Sequence, residues 1–476
     1  MMYKNIRTFL TFCLTLSMAL VLSATAAHKS TFDELIGDLS GNNEVKRSLA
    51  RQLIPRQGAA AIPYVLPLLF QENSAVSWAA NNVILDIAND VSVAGREAER
   101  ATVTTTLLEA LAATDDQTQQ FTLLRILPVV VPEGADIQAI ATLLSQENTR
   151  ERARRALQEI NTTEARTALG AALSTADPEF ACALMDALDK TNDTKSIPLI
   201  REKLAKGTPA EQTAAALALA RTANPALVAP CLALGKSIDI NHRFDVEDAT
   251  LQLADALAKA GGTWEAGMAL YRAMLTQSEN SAIQGAALAG LGRYGDETAL
   301  DTIMTAWSDD ASGLLEGPAI AAIESLQDPA VAELLIAAYA RQPVPVKERL
   351  LGIMGRTRDP RYLSVFEGAA DIAPVFRIDA LEQSRLPQAI PLLEALAGGD
   401  DAATTTAAVR AITTMAAVLR DQGDSAGAGR AYLASYRIAT DDEARAQALE
   451  GIKAFPIAEA YDELRRELGD DGLLKL

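Results

Sequence analysis

Histidine and cysteine are scarce in this chain of 476 residues. The sequence has 2 histidines, His28 and His242, and 3 cysteines. It contains no CxxC pair, no HExxH helix, no GxSxG turn and no glycine-rich phosphate loop. Those motifs mark metal sites, zinc proteases, serine hydrolases and nucleotide-binding proteins. The sequence therefore predicts a protein that is not an enzyme, with no catalytic residue, no cofactor and no metal site.

The cysteines predict at most one disulfide. Cys13 lies inside an N-terminal apolar run, which leaves Cys182 and Cys231. Both lie in helical stretches rich in alanine and leucine, where a buried free thiol is the usual state. We therefore expect two buried free thiols, and the sequence leaves open whether they pair.

Aromatic residues are few as well. They make up 5% of the chain, whereas apolar residues as a whole make up 49% and are dominated by alanine and leucine. No stretch alternates apolar and polar residues in the way a β-strand requires. This composition favours thin layers of closely packed helices over one large globular core. We expect an all-α protein, about 70% helix or more, in roughly two dozen helices.

Positive charge is in short supply. The 43 lysines and arginines face 62 aspartates and glutamates, which gives a formal net charge of −19 at pH 7. A chain this acidic repels phosphate backbones, so nucleic acid is not expected as a partner. A basic protein surface, a cationic peptide or a divalent cation fits the charge better.

The N-terminus has the pattern of an export signal. Lys4 and Arg7 precede an apolar run from Thr8 to Leu22, and the small residues 23–27 follow. The run is shorter than the ~20 residues of a spanning helix, which argues against a membrane anchor. We predict a signal peptide over residues 1–26, a periplasmic or secreted location, and no membrane span in the mature chain.

Turns that contain proline recur along the sequence. They are found at Asp177-Pro178, Thr208-Pro209, Asp328-Pro329 and Asp359-Pro360. The interval from Pro178 to Pro209 equals that from Pro329 to Pro360, and each is long enough for one helix pair. Proline suits the first turn of a helix and prevents the preceding helix from continuing. The spacing predicts a repeat built from helix pairs.

The repeats resemble a known structural family. Residues 281–296 resemble the second helix and exit turn of a HEAT-like repeat, and residues 346–355 are similar. The resemblance extends over most of residues 40–236 and 279–400. It implies a right-handed α-α superhelix of the HEAT and tetratricopeptide type, and it implies a fold rather than an activity.

Two segments resemble tetratricopeptide helix pairs and each other. The first segment contains Leu253, Ala254, Leu257, Gly261, Ala266, Leu270 and Ala273. At one constant offset the second segment contains Met415, Ala416, Leu419, Gly423, Ala428, Tyr432 and Ser435. The match continues into the next helices with an offset that is one position shorter, from Ala287, Leu288, Gly290, Leu291 and Ala299 to Ala448, Leu449, Gly451, Ile452 and Ala460. We predict one four-helix unit used twice, over 250–305 and 412–468, with turns at Gly261 and Gly423 and with Ala266 and Ala428 buried at the helix crossings.

These patterns divide the chain into five predicted segments. They are the signal peptide (1–26), N-terminal HEAT-like repeats (27–236), a tetratricopeptide-like four-helix unit (237–306), further HEAT-like repeats (307–411) and a second tetratricopeptide-like unit with a C-terminal cap (412–476).

A binding scaffold is the leading functional interpretation. A stack of helix pairs offers a concave face to an extended peptide or a protein partner whose identity the sequence does not give. One alternative is a lyase-like carbohydrate enzyme that uses the polar cluster Asn241–Asp245, with His242 and Arg243. Another is a permanent structural component of a cell-envelope assembly.

Paired aspartates such as Asp115-Asp116, Asp309-Asp310 and Asp441-Asp442 are expected to cap helices rather than bind calcium.

Overall fold

The protein is helical throughout the part that the structure describes. The computed structural model describes residues 31–398 and 401–473, and 79% of these residues are helical, without a strand. The expectation of an all-α fold with about 70% helix or more is therefore confirmed for these residues. The predicted signal peptide, 1–26, lies outside the described residues.

The N-terminal half of the described chain contains twelve α-helices. They are α1 Phe32–Ser40, α2 Glu44–Leu53, α3 Ile62–Leu69, α4 Ser74–Val91, α5 Glu97–Ala112, α6 Gln117–Val130, α7 Gln138–Thr142, α8 Arg150–Ile160, α9 Thr163–Leu173, α10 Pro178–Lys190, α11 Ile197–Lys206 and α12 Pro209–Ala220. Short 3₁₀ helices, Ile54–Ala61 and Leu143–Ser145, precede α3 and follow α7.

The remaining α-helices lie in the C-terminal half. They are α13 Val228–Ser237, α14 Ile240–Lys259, α15 Trp264–Gln277, α16 Ser281–Tyr294, α17 Glu297–Asp309, α18 Glu316–Ser325, α19 Val331–Tyr339, α20 Val344–Thr357, α21 Leu363–Gly368, α22 Pro374–Ser384, α23 Ile390–Ala397, α24 Ala402–Asp421, α25 Ser425–Ile438, α26 Asp442–Ala454 and α27 Ala458–Leu473. Three 3₁₀ turns, Pro225–Leu227, Pro360–Tyr362 and Pro387–Ala389, begin with proline.

Pro178 and Pro209 begin α-helices, as the sequence predicted, and Pro360 begins a 3₁₀ turn, whereas Pro329 lies in the turn before α19. Asp177 accepts a hydrogen bond from the backbone N–H of Phe180, at 3.0 Å, and Pro178 is the first residue of α10. Pro209 begins α12, and the interval between the two prolines holds α10 and α11. A side-chain oxygen at the cap satisfies an N–H that has no partner within the helix. The interval between these prolines is thus one helix pair, which confirms the HEAT-like repeat.

The helices form two compact units, one ending at Leu219 and the other beginning at Ala220. In the N-terminal unit the second helices of successive pairs, α2, α4, α6, α8 and α10, pack against one another as one layer. The first helices, α1, α3, α5, α7 and α9, form the other layer. Branched aliphatic side chains such as Val83, Leu107 and Leu123 are fully buried. The finer five-segment division remains a sequence-based prediction.

The C-terminal unit has small residues where the helices of one layer meet. The helices α14, α16, α18, α20, α22 and α24 pack in sequence as one layer. A Cβ added to Gly292 of α16 would overlap the backbone of Ala322 in α18, and one added to Gly355 of α20 would overlap the backbone of Ala380 in α22. Backbones that approach this closely leave room only for hydrogen, which accounts for glycine at both crossings.

The two predicted copies of the four-helix unit have matching helices. Helices α14 to α17 correspond in order to α24 to α27. The offset in residue number between the first residues of equivalent helices is one larger for α14 and α24 than for the three later helices of the unit. The offset therefore changes in the turn after the first helix of the unit, whereas the sequence comparison placed the change after the second helix. Gly261 and Gly423 both lie in turns, as predicted. The glycines with a left-handed backbone are Gly262 (φ 84°) and Gly423 (φ 83°), so the position equivalent to Gly423 is Gly262 and not Gly261.

This change of offset also changes which residue lies where the first two helices of the unit cross. Ala428 is fully buried, as expected, but Ala266 is only half-buried, and the position equivalent to Ala428 is Gly267. A Cβ on Gly267 would lie 2.8 Å from the carbonyl oxygen of Ala254 in α14. The first copy therefore has glycine where the second has alanine, because its two helices approach each other more closely.

Candidate functional site

A short helix opens two grooves in the N-terminal unit. Helix α7 has 5 residues, whereas its neighbours in the same layer, α5 and α9, have 16 and 11. The layer is therefore incomplete on both sides of α7. The larger groove, about 950 Å³, lies between α5 and α7, and the smaller one, about 790 Å³, lies between α7 and α9. The two share Ala135, Asp136 and Gln138 at the start of α7.

Arg100 fixes the chain where it enters this site. Its Nε donates to the carbonyl oxygen of Val130 at 2.7 Å, and its Nη2 donates to that of Val131 at 3.1 Å. Pro132 follows and prevents α6 from continuing, so the last carbonyls of α6 need partners outside the helix. The guanidinium of Arg100 supplies them, and the loop that leads to α7 leaves α6 in one defined direction.

Two reciprocal hydrogen bonds tie that loop to the start of α9. Glu133 Oε1 accepts from the backbone N–H of Thr163 at 2.9 Å, and Glu164 Oε2 accepts from the backbone N–H of Gly134 at 3.1 Å. Hydrogen bonds from its own N–H and from Gly134 hold the pKa of Glu164 below its usual range. Gly134 has a φ of 81°, which a glycine adopts without strain. The rim of both grooves is thereby held in place.

The larger groove is acidic and lined by small side chains. Its carboxylates are those of Glu109, Asp115, Glu133 and Asp136, and among the described residues no lysine, arginine or histidine lines it. Alanine and threonine are half of the remaining lining residues, and the side chain of Leu143 is buried beneath them. Small side chains leave the backbone of a bound segment free to approach, and uncompensated carboxylates attract positive charge.

An arginine in the smaller groove is already paired. Arg150 forms an ion pair with Asp177, and its guanidinium carbon lies 4.7 Å from the centre of the Phe180 ring. The backbone N–H of Phe180 and the guanidinium of Arg150 together hold the pKa of Asp177 below its usual range. This end of the groove is therefore close to neutral, and the acidic part of the site lies on the α5 side.

The polar cluster Asn241–Asp245 forms the first turn of α14. Asp239 caps this helix by accepting the backbone N–H of Asn241 at 2.7 Å. Asn241 and Phe244 are exposed, while His242 and Arg243 are half-buried. Successive residues of a helix point in different directions, so these side chains do not converge on one point. In the described part of the chain, no group of three or more histidine, cysteine, aspartate or glutamate side chains is placed to hold a metal ion.

Most of the acidic pairs cap helices, as predicted. Asp116 accepts the N–H of Gln119 at 3.0 Å, and Asp441 accepts that of Ala444 at 2.8 Å. Asp310 differs, because it follows Asp309, the last residue of α17, and accepts the N–H of Leu315 at 2.6 Å in the turn before α18. Asp309-Asp310 therefore lies at the end of a helix and not at a helix start.

The two cysteines of the described chain are free thiols. Cys231 is buried, and burial raises the pKa of its thiol to about 11. Cys182 is half-buried, and burial raises its pKa as well. The expectation of free thiols is confirmed, although only Cys231 is fully enclosed.

Helix α24 is the one described helix that meets the length and composition of a membrane span. Its mean hydropathy is 1.3, and 44% of the apolar window is buried against the rest of the protein. It packs between α22, α23 and α25 in the C-terminal unit. Core helices of helical repeats pass the same test, so length and composition alone do not place this helix in a membrane.

Comparison with known proteins gives similarity of structure only. No protein-family model and no curated protein sequence matches the chain. The structure of Kap121p bound to Ste12p is similar at 11% identity with a TM-score of 0.49, over 92% of this chain and 56% of Kap121p. A structure of Kap95p, described with RanGDP, has 14% identity and a TM-score of 0.47, over 92% of this chain and 64% of the other. The chain spans less than two-thirds of either protein, and we assign neither site nor partner from similarities this distant.

Proposed function

We propose that this chain is a non-enzymatic helical-repeat protein that binds an extended, basic segment of a partner protein. The larger groove between α5 and α7 is the binding site. The observation that supports this is the composition of its described wall, with the carboxylates of Glu109, Asp115, Glu133 and Asp136 and no basic residue. The groove, about 950 Å³, has the volume of a binding site for a short peptide stretch.

The affinity of such a site comes from several weak contacts. Each exposed ion pair contributes only about 0.2–1 kcal/mol, and salt screens it. Threonine hydroxyls and the fixed loop at Gly134 add positions for hydrogen bonds to a bound backbone. We therefore expect binding to require several basic side chains in one peptide and to weaken steeply as the ionic strength rises.

The wider proposal follows the sequence analysis. The chain is exported to the periplasm or secreted, and its helix pairs form a right-handed α-α superhelix, whose concave face is the binding surface expected from the sequence. The layer of second helices in the N-terminal unit is the second candidate surface. There Arg51 lies over Trp78 at 5.0 Å and Arg152 over Phe121 at 5.3 Å, and such arginine–aromatic pairs are frequent in protein interfaces.

Two variants of the full chain separate these surfaces. Glu109→Gln combined with Asp115→Asn removes two groove charges without changing side-chain size, whereas Trp78→Ala removes the exposed aromatic from the other layer. With a fluorescent peptide of alternating lysine and glycine, the groove variant is expected to bind at least 5-fold more weakly in anisotropy titrations, and Trp78→Ala to bind normally. Equal affinity of the groove variant and the original protein would contradict the groove as the site.

Pull-down of the full chain from its native cell envelope distinguishes a transient partner from a permanent one. A partner that dissociates at high salt supports the proposed scaffold. A partner retained through high salt favours the alternative of a permanent component of an envelope assembly.

A further inference from the structure

The two copies of the four-helix unit share an aromatic packing motif. In the first copy a Cβ added to Gly290 would overlap the ring of Tyr271, and that ring stacks on Tyr294 with centroids 6.5 Å apart. In the second copy a Cβ on Gly451 would overlap the ring of Tyr432, which stacks on Phe455 at 6.3 Å. The interplanar angles are 10° and 11°. The same hydrophobic packing is therefore built twice.

The polar groups around this motif occur in the first copy only. Asp255, Lys259, Arg293 and Tyr294 of the first copy correspond to Ala417, Asp421, Ala454 and Phe455 of the second. Because the second copy stacks in the same geometry without them, the packing does not require these charges or the Tyr294 hydroxyl. The ring stacking therefore does not explain why these groups occur in this copy alone.

The polar groups of the first copy converge on Tyr294. Lys259 Nζ lies 6.0 Å and the guanidinium carbon of Arg293 lies 5.7 Å from the centre of the Tyr294 ring. A hydrogen bond to Tyr294 raises the pKa of Arg293, so this guanidinium remains charged. Asp255 Oδ1 accepts a hydrogen bond from the hydroxyl of the buried Tyr271, so the one carboxylate among these four groups already has a donor.

A cavity of about 540 Å³ lies beside these residues in the C-terminal unit. Arg221, Gln252, Asp255 and Lys259 contribute its polar lining, and alanines contribute the rest. The side-chain amide of Gln252 donates to the carboxylate of Asp248 at 2.8 Å. Asp248 itself does not line the cavity. Lys259 lines this cavity and also lies near the Tyr294 ring, which Arg293 approaches as well, so two cations meet at this ring in a chain whose overall charge is strongly negative.

We propose that this cluster is an anion-binding site that takes a carboxylate of an acidic protein segment. Arginine presents a planar pair of donors that matches a carboxylate, lysine adds a mobile charge, and the tyrosine ring gives a flat wall against which the segment lies. The site is independent of the acidic groove in the N-terminal unit, since it has the opposite charge and lies in the other unit.

The second copy supplies the variants that test this site. Lys259→Asp and Arg293→Ala each introduce the residue that the second copy has at that position, and Tyr294→Phe does the same for the hydroxyl. Arg420→Asp is the matched control, because Arg420 is an exposed cation in the last turn of the equivalent helix α24. Thermal unfolding of every variant shows whether the fold survives, and the second copy indicates that it does.

Isothermal titration of the full chain uses three probes: a peptide of alternating glutamate and glycine, its glutamine counterpart, and inorganic phosphate. We expect saturable binding of the glutamate peptide alone, at least 10-fold weaker for Lys259→Asp and Arg293→Ala and unchanged for Arg420→Asp. Tyr294→Phe is expected to weaken it about 3-fold. No saturable binding, an equal loss in Arg420→Asp, or tighter binding of phosphate than of the glutamate peptide would each overturn the proposal.

Discussion

The phenol ring of Tyr432 lies directly against the backbone of Gly451, in the helix that follows its own. Tyr271 and Gly290 stand in the same relationship in the first copy of the unit. A buried aromatic ring that rests on a glycine lets two helices approach closely and still fills the space between them. The repetition of this contact supports an internal duplication more strongly than the similar residues in the two sequences do, because the tyrosine and the glycine that it contacts recur together.

Adding one methyl group at either glycine is expected to destabilise the protein. Gly290→Ala or Gly451→Ala forces the buried ring out of place, and overpacking of this kind costs about 1–3 kcal/mol. Gly235→Ala in helix α13 is the control, since no described atom lies within 4 Å of the position that its new methyl group would take. There alanine should stabilise the helix by about 0.5–1 kcal/mol. Urea unfolding followed by circular dichroism measures all three, and a neutral result at both tyrosine-contacting glycines would refute the packing argument.

Leucine substitutions test which residue of the first copy is equivalent to Ala428, at the crossing of the first two helices: Gly267, as in the structure, or Ala266, as the sequence comparison predicted. Ala428→Leu places a large side chain at a fully buried position and is expected to cost about 1–3 kcal/mol. Ala266→Leu changes a half-buried position and should cost clearly less. Similar losses for the two variants in urea unfolding would show that the sequence register, with Ala266 at the crossing, was correct.

The sequence predicted the helices and the repeat better than it predicted the register. Asp177-Pro178 has a local physical meaning, a cap followed by a residue that cannot continue the preceding helix, so it located a helix start by itself. The extra residue in the turn at Gly261-Gly262 has no such mark, because either glycine adopts a left-handed conformation. Only the observed φ of Gly262 decides between them.

Replacement of His242 by alanine is expected to leave peptide binding unchanged. His242 is half-buried in the first turn of α14, and its neighbours point away from it. Anisotropy titration with the basic peptide and turnover of acidic polysaccharides by the same preparation are the two measurements. Polysaccharide cleavage by the original protein that disappears in a folded His242→Ala variant would establish the lyase-like alternative instead.

Glu151 should make the stability of the N-terminal unit depend on pH. Its carboxylate accepts from Arg154 at 2.7 Å and from Arg155 at 2.9 Å, and these hydrogen bonds lower its pKa to about 2. A folded-state pKa below the unfolded value of about 4.3 stabilises the fold above that value, and the stabilisation is lost as the pH falls towards 2.

The variant Glu151→Gln tests this dependence. Glu151 is about half exposed, so the variant is expected to lose only about 0.2–1 kcal/mol at pH 7. At pH 2 the difference should be smaller, because about half of the Glu151 carboxylates are then protonated. Urea unfolding at the two pH values measures the difference, and an unchanged gap between the proteins at pH 2 would mean that another effect of the substitution is responsible.

The candidate groove could not be predicted from the sequence, although its cause was visible there. Pro128 and Pro132 bracket the end of α6, and Gly134 follows, which indicates a break in the helical pattern. That break does not say that α7 would have only 5 residues. The carboxylates of Glu109 and Asp136 come together because α5 and α7 are neighbours in one layer, and this is a property of packing and not of sequence spacing.

Hydrogen–deuterium exchange of the full chain, with and without the peptide of alternating lysine and glycine, tests the proposed function most directly. The peptide is expected to slow exchange in residues 101–115 and 131–142, which flank the larger groove, and to leave the second-helix residues 74–91 unchanged. The protection should disappear at high salt. Protection confined to 74–91 and 117–130, or no protection at a saturating peptide concentration, would contradict the acidic groove as the binding site.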